Sequence, residues 1–303
     1  MTSPSADNEG SSTRRSQHPA PAPNTVTIPG LNGLRIVADE WDGDGPPVVL
    51  AHGGGQTRHS WGGTAAVLAG HGHRVVSIDL RGHGDSEWDP DGNYQMSAYR
   101  DDALAVAAWI GEPVVWVGAS LGGITGLHAV NEEPAQFSSL ILVDITPRPA
   151  AEGVTRILEF MAKDAVTGFG SLEEAADAIA EYQPHRPRPK DLSGLAKNLR
   201  LGDDGRWRWH WDPAFLDFRT GGTQTEHARD RHHGELEDFA RDLTLPTLLI
   251  RGRLSDLVTD AEVEGFLKLV PHAEYVDVAG AAHMIAGDKN DVFTNAVVGF
   301  LDR

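Results

Sequence analysis

The sequence predicts an α/β fold: a mostly parallel, twisted sheet flanked by helices, with a long helical insertion. Three observations predict it. Short, continuously apolar runs rich in Val, Ile and Leu recur along the chain. Helical patterns of about 10–15 residues separate them, the rhythm of a parallel sheet covered on both faces. One stretch, from Thr146 to about Leu243, shows no convincing strand run.

In chain order, residues 1–24 are rich in Ser, Pro and Ala and are expected to be a disordered tail. Arg14 and Arg15 are followed by no apolar segment, so no export signal is expected there. "TVTIPG" and "LRIVADEW", around Leu31-Asn32-Gly33, predict a hairpin. "PPVVLAHGGG" predicts a buried strand ending at Ala51 in a glycine loop. Further strands are expected at about 74–80, 113–119, 140–145, 245–252 and 273–280, and helices at about 60–70, 97–110, 121–131, 260–270 and 289–301. Right-handed crossovers then restrict the topology. Residues 25–145 and 244–303 form the expected core. Residues 146–243 form the expected cap or lid, too long to be an ordinary connection.

Composition narrows the function classes. A formal net charge of −18 over 303 residues repels phosphate backbones and anionic lipid, so neither nucleic acid nor membrane is an expected partner. No run approaches the roughly 18 apolar residues of a membrane helix. The chain has no cysteine, which removes thiolate catalysis and cysteine zinc sites and fits a cytoplasmic location. His232 and His233 are adjacent and point to different faces, so "EHARDRHHGELEDF" reads as an exposed, charged helix or linker. No metal or cofactor is expected. The sequence carries no signal for an oligomeric state.

"VGASLGG" places Ser120 directly after a strand and directly before a helix. A Gly-x-Ser-x-Gly in that context is a nucleophile elbow, and Gly118 and Gly122 leave room for its tight turn. The head of the following helix favours developing negative charge. "AHGGG" ends an earlier strand, where a bare backbone N–H could join that of Leu121 in an oxyanion hole. "RGRLSD" sets Asp256 beyond another strand, and "GAAH" sets His283 beyond the last. In this order Ser120 serves as nucleophile, His283 as general base and acid, and Asp256 as the group that orients the imidazole.

These motifs, His52–Gly55, "DLRGHGDS" at 79–86, "GASLGG" at 118–123, "RGRLSD" at 251–256 and "GAAH" at 280–283, resemble the α/β-hydrolase fold superfamily over residues 25–303. The resemblance implies Gly54 and Leu121 as oxyanion donors and a structural role for the 79–86 loop. It implies a capped serine esterase or lactonase, whose partner is a small-molecule ester or lactone. Gly53, Gly55, Trp209, Trp211 and Met284 are expected to line the substrate site. Some members take the acid from the preceding strand, which makes Asp144 in "LVDITP" a second candidate; Asp256 occupies the commoner slot.

Fold alone does not choose the reaction. Epoxide hydrolases and haloalkane dehalogenases carry Asp at the elbow, because an alkyl ester of a carboxylate can be hydrolysed and a serine ether cannot. Tyr182 is also the only tyrosine between 146 and 243, where epoxide hydrolases use two. C–C bond hydrolases usually have Trp after the histidine, where this chain has Met284. Perhydrolase, lyase or receptor use of the same triad stays open. In "WRWHWDP", alternation puts Trp207, Trp209 and Trp211 on one face and Arg208 and His210 on the other. The indoles can serve as an aromatic substrate wall or as glue between insertion and core.

Overall fold

The structure, a computed structural model, describes residues 22–182, 188, 190–216, 226–279 and 291–303, with backbone alone for 226–229. β1 (Asn24–Pro29) and β2 (Arg35–Trp41) pair as an antiparallel hairpin. Then follow β3 (Gly45–Ala51), α1 (Gly62–Gly70), β4 (His73–Ile78), α2 (Met96–Ile110), β5 (Val114–Ala119), α3 (Leu121–Glu132) and β6 (Phe137–Val143). The insertion carries α4 (Ala151–Lys163), α5 (Leu172–Tyr182), β7 (Leu199–Leu201), β8 (Trp207–Trp209) and α6 (Glu226–Arg241). β9 (Thr247–Gly252), α7 (Asp260–Leu269), β10 (Glu274–Val278) and α8 (Asp291–Leu301) complete the chain.

The main sheet has eight strands in the order β1-β2-β4-β3-β5-β6-β9-β10. From β4 to β10 all pairings are parallel; β2 joins antiparallel at one side. Side chains alternate across it, as a pleated strand requires. Val114 and Trp116 face one core with α2 and α3, whereas Val115 and Val117 face a second with Leu68, Phe293 and Val297. The two short strands β7 and β8 correct the expectation of a strandless insertion. At three residues each, they are too short to show the period that marks a strand in sequence.

One contact fixes the geometry of the centre. A Cβ on Gly118 would lie 2.3 Å from the Gly122 carbonyl oxygen, and one on Gly122 would lie 2.4 Å from that of Ala51. The start of α3 therefore rests directly on the backbone of β5 and β3. We expect Gly118→Ala to destabilise the fold by about 2–3 kcal/mol, the cost of forced overpacking. Chemical denaturation beside wild type measures this, and a loss under 0.5 kcal/mol (roughly the level of a neutral surface change) would contradict it.

Candidate active site

Ser120 sits between β5 and α3 with φ 45° and ψ −110°. Among the described residues, the non-glycine positions with positive φ are Asn32, Ser120 and Asp144. Asn32 belongs to a tight turn. The other two end neighbouring parallel strands, and such backbone is held only where its surroundings over-determine it. Ser120 N–H donates to the Val143 carbonyl at 3.2 Å, while its own carbonyl receives Gly123 and Ile124 N–H at 3.0 Å. The hydroxyl-bearing residue is thus fixed at the head of α3, directly before the Leu121 N–H.

The glycine loop after β3 is oriented by a buried histidine. His52 Nε2 accepts Leu80 N–H at 3.0 Å, so in the neutral ring the proton lies on Nδ1, which donates to the Gly53 carbonyl at 2.8 Å. Gln56 N–H donates to the same carbonyl at 3.1 Å. A trans peptide points its N–H opposite to its C=O, so these bonds set the direction of the Gly54 N–H. The Gly53 N–H is engaged by Gln56 Oε1 at 3.1 Å. Gly53 also abuts Ser120: a Cβ there would lie 3.3 Å from Ser120 Cβ.

The two candidate carboxylates occupy different surroundings. Asp144, fully buried, follows β6; Oδ1 accepts Gly252 N–H at 3.0 Å and Oδ2 accepts the Ser255 hydroxyl at 2.6 Å. Asp256 has a side chain 41% exposed and pairs with Arg156 of α4 at 2.9 Å. Arg156 also donates to the Tyr182 carbonyl at 2.7 Å and lies over the Tyr182 ring. His283 and Met284 lie outside the described residues.

A cavity of about 280 Å³ opens beside Ser120. Gly53, Gly54, Gly55, Leu121, Trp209 and Trp211 line it together with Ser120. The rest of the wall is mostly apolar and comes from the insertion, including Ile157, Phe160, Met161, Tyr182 and Phe215. Phe160 stacks on Tyr182 at 4.1 Å and meets Trp209 edge-on at 6.0 Å. Tyr182 is buried enough that its phenol is pushed up to about 12, with the Asp256 charge adding to the effect. It stays a neutral wall.

Two expectations need correction here. The 226–239 stretch forms a helix, but His232, His233 and Leu236 reach the cavity wall. His232 stacks near His128 of α3, and Phe239 packs edge-on to it, so one side of this charged helix is a packing face. His210, expected on the face opposite the indoles, is 1% exposed. β8 ends at Trp209, so alternation no longer holds at His210. Its Nδ1 accepts Gly84 N–H at 2.6 Å and its Nε2 lies 3.3 Å from the Gly55 carbonyl. One signal could have found it: a histidine set among tryptophans must find polar partners if it is buried.

The "DLRGHGDS" loop is the platform beneath these contacts. Arg58 bonds Asp79 within it and reaches Asp39 at 3.0 Å, and Arg81 holds buried Asp102 at 2.6 Å. The insertion docks on this loop: Asp212 N–H donates to Gly82, and Arg200 reaches Asp85 at 2.8 Å.

Comparison with known proteins agrees with this architecture. The family model of the alpha/beta hydrolase fold matches residues 46–289. The chain is 29% identical to esterase Rv0045c of Mycobacterium tuberculosis over 94% of its own length and 90% of the relative's. A crystal structure of that esterase superposes with a TM-score of 0.70 at 30% identity, covering 93% and 92% of the two chains. The 3-hydroxybutyrate-oligomer hydrolase of Cupriavidus necator is 28% identical over 82% of this chain and 87% of that protein. The structure of E-2-(acetamidomethylene)succinate hydrolase shares the fold, with TM-score 0.77 at 22% identity over 92% and 99%. Among the described residues, no helix is long and apolar enough to cross a membrane.

The buried histidines make stability sensitive to acid. Burial lowers His52 to about 4, with the Arg58 charge adding and the Gly53 bond opposing. Burial, with help from His232 and Arg100, lowers His128 to about 4. An unfolded histidine titrates near 6.5, so below that pH the unfolded chain binds protons that the folded one refuses. Stability is therefore whole above about pH 6.5 and falls between 6.5 and 4, by about 3 kcal/mol for His52 alone. Urea midpoints at pH 7, 6, 5 and 4.5 should decline steadily. A flat profile would contradict the neutral, buried assignment.

Proposed function

The chain belongs to the α/β-hydrolase fold family, and on that premise we propose that it is a serine hydrolase of carboxylic esters with an apolar acyl group. The observation that carries this reading is Ser120, held in left-handed backbone at the head of a helix and on the wall of an apolar cavity. In the proposed cycle His283 takes the Ser120 proton as Oγ attacks the ester carbonyl. The tetrahedral oxyanion accepts hydrogen bonds from the Gly54 and Leu121 N–H groups. Its collapse expels the alcohol, protonated by His283, and leaves an acyl-enzyme. Water, deprotonated by His283, attacks that ester; collapse returns the proton to Ser120 and frees the acid. A lactone follows the same steps, with the alcohol remaining on the acyl group.

We assign the orienting carboxylate to Asp144 rather than Asp256. Asp144 follows Val143, whose carbonyl holds the Ser120 amide, so nucleophile and acid end adjacent strands. Its carboxylate is buried, where an unscreened charge best stabilises an imidazolium, whereas Asp256 is exposed and already neutralised by Arg156. Residues 146–243 act as the cap. Their described cavity wall carries no Lys, Arg, Asp or Glu, which suits an uncharged acyl chain.

Steady-state hydrolysis of p-nitrophenyl esters from acetate to decanoate tests the reading. Turnover should rise with chain length and then fall when the cavity is filled. Ser120→Ala should lower kcat/KM at least about 10⁴-fold, as loss of a triad nucleophile does; unchanged turnover of every accepted ester would refute the nucleophile. Asp144→Asn should cost about 10³–10⁴-fold in kcat. Asp256→Asn should cost less than about tenfold, consistent with an exposed ion pair worth at most about 1 kcal/mol. The reverse ranking would return the acid role to Asp256.

A further inference from the structure

The glycine loop is gripped from two sides. From the core, His52 and Gln56 hold the Gly53 carbonyl. From the insertion, His210 reaches the next carbonyl but one, that of Gly55. Because His210 Nδ1 accepts the Gly84 N–H at 2.6 Å, a neutral ring carries its proton on Nε2, which faces the Gly55 oxygen at 3.3 Å. One buried side chain of the insertion therefore ties two core loops together, the glycine loop and the 82–86 loop.

A second observation points the same way. A Cβ on Gly54 would lie 3.3 Å from Phe215, and one on Gly55 would lie 3.1 Å from Met161. Both partners belong to the insertion, so it packs on the loop's outer face while Ser120 lies against Gly53. The loop is a layer between nucleophile and insertion.

We infer that His210 is a positioning residue that makes a competent oxyanion loop depend on docking of the insertion. This rests on the reading of Gly54 as an oxyanion donor. When the insertion is seated, the Gly55 carbonyl is fixed, and with it the Gln56 N–H of the same peptide, which donates to the Gly53 carbonyl and so helps to aim the Gly54 N–H across the Gly53–Gly54 peptide. When it lifts, the Gly55 carbonyl loses this partner and the Gly54 donor keeps only its core-side hold through His52. Acyl transfer is thereby favoured in the docked state. The same strut explains a polar residue in the middle of "WRWHWDP": a fourth indole could pack there but could not accept from Gly84.

The test compares His210→Ala, His210→Asn and His210→Gln with wild type. Four quantities are read: kcat and KM on the preferred p-nitrophenyl ester, Ki for a trifluoromethyl alkyl ketone whose hemiketal oxyanion occupies the hole, and hydrogen exchange of the peptide spanning Gly53–Gln56. For His210→Ala we expect kcat to fall about ten- to a hundredfold, less than deletion of a donor outright. KM should stay within about threefold, ketone Ki should rise by the same factor as kcat falls, and loop exchange should accelerate. Gln, which retains one donor and one acceptor, should recover part of the loss, and Asn, too short to span both loops, should not. If His210→Ala does not melt cooperatively, the Asn and Gln variants decide. Unchanged loop exchange with kcat within twofold overturns the inference, as does a rise in KM at constant kcat. A wild type that neither turns over esters nor binds the ketone defeats the ester reading instead; loop exchange alone then upholds or overturns the coupling.

Discussion

The rest of the structure depends on the close crossing of α3 over the ends of β3 and β5. With no side chain at Gly118 or Gly122, backbone meets backbone, and Gly122 N–H donates to the His52 carbonyl at 3.1 Å. The helix can start only if the residue between strand and helix turns sharply, and that residue is Ser120. The strain at φ 45° costs about 1–3 kcal/mol. It is offset by a centre in which Val115, Trp116 and Val117 are almost wholly buried. The same crossing brings the head of α3, with Leu121, to the cavity wall and sets the glycine loop against Ser120. Ser120, helix head and glycine loop thus share one mechanical origin.

Around that centre, neutral histidines, buried ion pairs and exposed ion pairs divide the work. The loops that must hold angles are fixed by histidines: His52 on Gly53, His83 through the Arg81 carbonyl, and His210 on Gly55 and Gly84. The three rings lie in series, 5.2 and 5.9 Å between centroids. His52 and His210 resist protonation, because burial disfavours the charge and neighbouring positive charge adds to the penalty. Buried pairs, Arg58 with Asp79 and Arg81 with Asp102, share that floor, and exposed pairs join the insertion to the core, such as Arg200 with Asp85 and Arg156 with Asp256. Exposed pairs can break and re-form at little cost.

Much of this was legible in the sequence because it is written in short-range patterns. Each strand of the main sheet is an apolar run, and Gly118-x-Ser120-x-Gly122 states its own turn. The insertion was legible as an interruption and not as an architecture. α4 and α5 follow helical periodicity, but β7 and β8 owe their pairing to the docking of Trp207 and Trp209 rather than to propensity. His210 and His233 escaped for the same reason. Their roles come from partners more than a hundred residues away, Gly55 and Gly84 for His210, the cavity for His233.

The proposed choice of Asp144 over Asp256 rests on environment where the sequence offered motif position. Both are aspartates in loops beyond strand ends, and the commoner slot in the family favours Asp256. Their partners separate them. Ser255, one residue before Asp256, donates its hydroxyl to Asp144 and accepts Leu257 and Val258 N–H, so the β9 loop is built to hold the neighbour's carboxylate. Gly153 presses on the Asp256 carbonyl, and Ala150 N–H donates to Leu257, which seats α4 on that same loop. Among the described residues the Asp256 side chain pairs with Arg156, and that cation reaches on to the Tyr182 carbonyl in the cavity wall. A carboxylate there tunes where the wall stands; a buried one at the end of β6 can face a charge formed during the reaction. On the proposed reading, depth is what separates the two.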